Sequence, residues 1–102
     1  MAEPSLESLR LWRQLVSILD GWAAHAEVLS SERIEVVLPG GRLVWLDLSW
    51  DGMEDLFTAW GDTLESMTEY IKFALVRLPE DCDTLAYTQY ALEPRKRRAN
   101  RP

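Results

Sequence analysis

The chain contains a single cysteine and a single histidine, and that scarcity excludes several chemistries at once. Cys82 has no second cysteine with which to close an internal disulfide, a pattern that fits a reducing compartment. With His25 it falls short of the four-ligand cysteine and histidine sets that hold structural zinc. Lysine is scarce too, with Lys72 and Lys96 against nine arginines, a bias typical of GC-rich bacterial coding. Nothing approaches the run of about eighteen apolar residues needed to cross a bilayer. Met1-Ala2-Glu3-Pro4-Ser5 lacks the basic segment and apolar stretch of a secretory leader. The expectation is a cytoplasmic protein without a membrane partner.

What is present is large apolar side chains. At 102 residues the chain has room for one modest core, expected over residues 1–94, and its apolar fraction of 47% with five tryptophans argues for a packed globule. Charge is polarised. Arg95, Lys96, Arg97, Arg98 and Arg101 lie in the last eight residues, leaving six basic against seventeen acidic side chains in residues 1–94, a net of −11. Such a body repels nucleic acid and favours a basic protein partner. Residues 95–102 read as a disordered basic tail.

The longest pattern runs from Asp51 to Leu78. Met53, Phe57, Trp60, Leu64, Met67, Ile71, Ala74 and Leu78 recur in steps of four and three, one apolar seam at helical period. Asp51 with Glu54 forms a capping pair, and Pro79 closes the end. Asp62 with Glu65 repeats that capping pattern, so two helices meeting at Gly61 are the alternative. The seam keeps its register through Gly61, which favours one helix, kinked there. An earlier stripe of Leu9, Trp12, Val16, Leu19, Ala23 and Ala26 predicts a helix from an N-cap at Ser5 to about Leu29, with Gly21 as a weak point.

Between these helices, 33–38 and 42–48 alternate as strands around Pro39-Gly40-Gly41, a hairpin signal. Ile34, Val36 and Leu38 share a face, as do Val44, Leu46 and Leu48. The opposite faces (Arg33, Glu35, Val37; Leu43, Trp45, Asp47) are mixed, as in a sheet covered on one side. Thr84–Leu92 fits either period and reads slightly better as a helix capped by Asp83. The fold class expected is α+β, with two long amphipathic helices on an antiparallel hairpin in the order α-β-β-α, followed by a short helix or strand.

No motif carries catalysis, a cofactor or a metal. His25 has only Glu27 nearby in sequence, and Cys82 sits among Glu80, Asp81 and Asp83, which disfavour its thiolate. The acidic clusters Asp51-Glu54-Asp55 and Asp62-Glu65-Glu69 lack the glycine-centred spacing of a calcium loop. Pro39-Gly40-Gly41 lies between strands, away from any helix N-terminus that could cradle phosphate. The aromatics exceed what a small core absorbs, and surface aromatics anchor interfaces. Trp50, Tyr70, Phe73 and Tyr87 are the expected contacts, with Asp62, Glu65 and Glu69 as a steering rim. The expected function is therefore a non-enzymatic protein-binding module: an adaptor, chaperone or inhibitor acting on a partner's surface, with a homodimer as one way to cover the surplus. Mimicry of nucleic acid by the line Asp51, Asp55, Asp62, Glu65 and Glu69 is the alternative. An enzyme using Cys82 and His25 ranks third.

Overall fold

The structure is a computed structural model that describes residues 6–60, 63–89 and 91–97, without the Trp60 side chain. Three helices, α1 (Leu6–Trp22), α2 (Trp50–Trp60) and α3 (Leu64–Val76), pack with five strands: β1 (His25–Ser30), β2 (Arg33–Val37), β3 (Leu43–Asp47), β4 (Cys82–Thr88) and β5 (Ala91–Lys96). The class is α+β, and the order is α-βββ-αα-ββ. Strands lie in sequence order across one sheet, antiparallel except where β4 runs parallel beside β3. That parallel step follows from the helices, because a chain leaving β3 must cross the sheet through α2 and α3 before it returns.

The predicted hairpin is β2 and β3, with Ile34 opposite Leu46 and Val36 opposite Val44. Gly41 makes the tight turn at φ 99°, a left-handed conformation that costs glycine little. Its N–H donates to Leu38 O at 2.7 Å, and Leu38 N–H donates to Arg42 O at 2.8 Å. Ile34, Val36, Val44 and Leu46 face the helices and are fully buried, together with Leu15 and Leu19 of α1, Met53 and Leu56 of α2, and Ile71 and Leu75 of α3.

Four expectations need correction. The first helix ends at Trp22 and does not run to about Leu29; His25–Ser30 is a strand paired with β2. Ala26 suits both periods; its N–H donates to Asp20 Oδ1 at 3.0 Å, outside any helical ladder. The second long helix is two. Thr63 caps α3 with φ −92° and ψ 165°, and its hydroxyl accepts the Ser66 N–H at 3.1 Å. The described residues of 84–92 are not helical: Leu85 pairs with Leu46 on one side and Pro94 on the other, so strand pairing on both edges overrides local propensity. Order also extends beyond residue 94, because Arg95 and Lys96 belong to β5; Arg98 and Arg101 lie outside the described residues.

Candidate functional site

Two surfaces bring charged and aromatic side chains together. The first is the outward side of α3. Met67, Ile71 and Leu75 turn inward and are buried, so the positions one turn apart on the other side, Glu65, Glu69, Phe73 and Val76, meet solvent. Phe73 is 61% exposed and Val76 55%. Trp22, the last residue of α1, is half-buried beside them. Trp22, Glu69, Lys72, Phe73 and Val76 line a shallow depression of about 450 Å³. Cations decorate the rings: Lys72 Nζ lies 5.6 Å from the Trp22 ring centre, and Arg77 Cζ 4.8 Å from that of Phe73. Lys72 also reaches Glu69 Oε2 at 3.2 Å.

The second surface is the sheet face that no helix covers. Arg33 grips Asp47 through two hydrogen bonds, Nε to Oδ1 at 2.7 Å and Nη2 to Oδ2 at 3.0 Å. Its guanidinium lies 5.2 Å from the Trp45 ring centre. Two depressions of about 470 and 570 Å³ adjoin this cluster and share Arg33, Asp47 and Arg95. Thr84 and Ala86 are buried among these lining residues, although they point away from the helices. The cations Arg33, Arg95 and Lys96 are balanced by Glu32, Asp47 and Asp83, so this face is polar without a dominant sign.

Of the four aromatics expected at the surface, Phe73 is exposed, whereas Trp50, Tyr70 and Tyr87 are half-buried and packed against the core. Trp50 meets Trp12 edge to face, with ring centres 6.1 Å apart. The Tyr87 ring packs over α2 where Gly52 leaves room; a Cβ there would lie 3.1 Å from Tyr87 Cδ2. Glu65 and Glu69 are exposed, and Asp62 lies outside the described residues. The acidic line through Asp51, Asp55, Glu65 and Glu69 is divided between α2 and α3. Sequence reading missed Trp22, Val76 and Arg77 as neighbours of Phe73. The apolar stripe of α1 did include the turn around Trp22, but which helix would pack beside it is not a periodic signal.

His25 and Cys82 are not brought together. They sit on β1 and β4, three strand spacings apart, or roughly 14 Å, beyond any proton transfer between them. His25 bonds Glu27 Oε1 at 2.8 Å, and that carboxylate raises its pKa above the ordinary histidine value. Burial pushes the Cys82 thiol up, and Asp81 adds to the effect. Among the described residues, no three His, Cys, Asp or Glu side chains converge as a metal site, and no helix is long and apolar enough to cross a membrane. No protein-family model matches the chain, and no curated protein or solved structure matches it either.

Proposed function

We propose that the chain is a protein-binding module, an adaptor, chaperone or inhibitor that acts by occupying a partner's surface, with Phe73 as its anchor. The observation that supports this reading most is the 61% exposure of Phe73 on a helix whose opposite side is fully packed. Burying a phenylalanine is worth about 1.5–3 kcal/mol, and a partner surface recovers what the fold leaves in water. Val76 and Trp22 extend the apolar centre. Glu65 and Glu69 supply a carboxylate rim, and a chain of net charge −6 draws basic partners from a distance.

The test is affinity capture from a cell extract, with the identified partner then titrated directly. Phe73→Glu with Val76→Glu should keep the circular dichroism of the wild type and weaken binding by about thirtyfold or more, as loss of an anchor does. An unchanged affinity would remove the α3 surface from the account.

A further inference from the structure

The α3 surface carries a charge pattern that complements itself. Glu69 lies one turn before Phe73, and Arg77 stands one turn after it, at the C-cap of the helix. Arg77 stacks on Phe73 and has no carboxylate within 4.0 Å among the described residues. Among the described residues the one cation on Glu69 is Lys72, at 3.2 Å, and because the Glu69 side chain is 72% exposed that pair is worth little in water. A two-fold axis through Phe73 makes a second α3 antiparallel to the first. Phe73 then meets its own copy, Val76 meets Tyr70, and Glu69 of each chain faces Arg77 of the other. Both charges find opposite partners, and the pairing closes on itself.

Features at both sheet edges and on the uncovered sheet face disfavour a second copy there, although Val28 and Leu29 of β1 and Leu43 of β3 are exposed as well. At the β1 edge, Asp20 Oδ1 already accepts the N–H of Ala26. At the β5 edge, Pro94 offers no N–H and stands between the exposed charges Glu93 and Arg95. The uncovered sheet face is polar and bears its own internal ion pair, Arg33 with Asp47.

We infer that the chain forms a homodimer through antiparallel contact of α3 with its copy, centred on Phe73 and held in register by reciprocal Glu69–Arg77 pairs. The inference rests on the reading above in that both use one surface: a second copy fills it until a basic partner displaces that copy. One helix pair buries an area at or below the low end of stable interfaces, so the dimer is a weak one that forms only at high protein concentration. The −6 charge on each chain opposes association at long range, but at physiological salt the repulsion is screened within about 8 Å and local pairs decide.

The experiment is sedimentation equilibrium of the full chain between about 1 and 500 μM in 0.15 M salt, with circular dichroism on every variant. The wild type should pass from monomer to dimer, and Phe73→Glu should stay monomeric at all concentrations. Glu69→Arg and Arg77→Glu should each weaken the dimer about tenfold, because two symmetric attractions become repulsions. The double variant Glu69→Arg, Arg77→Glu should recover the wild-type constant to within about threefold. A wild type that stays monomeric at 500 μM would overturn the dimer and leave the partner-capture assay unaffected. A dimer untouched by Phe73→Glu, or a double variant no better than the singles, would overturn the α3 register. Capture lost in Phe73→Glu, Val76→Glu from a monomeric wild type would keep Phe73 as a partner anchor while removing the second copy.

Discussion

Trp12 and Trp50 carry the same side chain in the same cluster and have opposite hydrogen-bond accounts. The Trp12 Nε1–H donates to Leu48 O at 2.6 Å, inside the core, whereas Trp50 Nε1 is buried with no partner among the described residues. Trp12→Phe strands a buried carbonyl; Trp50→Phe removes a donor that was already stranded. Both lose ring volume, and because Trp12 is buried while Trp50 is half-buried, the difference between them holds the hydrogen bond together with the deeper packing of Trp12. Urea denaturation should show Trp12→Phe less stable than Trp50→Phe by about 1–3 kcal/mol. Equal losses would mean that the Leu48 contact contributes nothing. At this scale the sequence was legible in part. Cys82 was expected to be unreactive among carboxylates, and burial is the larger cause, with Asp81 second. Which tryptophan hydrogen is satisfied depends on a carbonyl 36 residues away, and local pattern does not encode it.

At the scale of elements, the crossing from α3 back into the sheet depends on one side chain. Arg42, just past the Gly41 turn, donates to the carbonyls of Leu78 and Pro79 at 2.7 and 2.6 Å and to Cys82 O at 2.6 Å. Those three acceptors span the turn between α3 and β4, so the β2–β3 hairpin and the parallel strand are tied through one guanidinium. Lysine has one nitrogen and cannot reproduce the fork. Arg42→Lys should cost about 1.5–3 kcal/mol, the value of a hydrogen bond to a charged group, and Arg42→Ala somewhat more. Amide hydrogen exchange should locate the loosening at residues 78–82; loss confined to the hairpin would contradict the role. Legibility at this scale followed period. The hairpin, the N-terminal part of α1 and the inward faces of α2 and α3 repeat regularly and were read. Residues 25–30 and 84–92 were not, because short runs such as Ala26–Val28 or Leu85–Leu92 fit period two and period 3.6 alike until neighbouring strands pair with them. The break before α3 was weighed on a capping pattern at Asp62 and Glu65, whereas the cap that forms is Thr63 with Ser66, and it was outweighed by an apolar seam that two separate helices keep equally well.

For the whole molecule, the question is whether the fold is complete without a second chain. The radius of gyration is 13.3 Å, close to the roughly 13 Å of a folded domain of this length, and the buried cluster draws on every helix and every strand. Association is therefore an addition to a finished core. This is also why the surplus of aromatics misled in detail: Trp50, Tyr70 and Tyr87 have core neighbours that sequence spacing did not reveal, and among the described residues the exposed aromatic is Phe73, with Val76 and half-buried Trp22 beside it. Sequence led to an expectation of surface aromatics beside acidic residues; that Phe73 lies beside Trp22 required the packing of α1 against α3.

The most direct test of the account is the folding stability of Phe73→Glu, measured by urea denaturation at about 1 μM, below the concentrations at which the proposed dimer is expected. If Phe73 is an anchor standing in water, the variant should match the wild type to within about 0.5 kcal/mol, the usual range for surface substitutions. A loss of about 3 kcal/mol or more, the scale of a charge forced into a core, would make Phe73 part of the fold and contradict the binding surface.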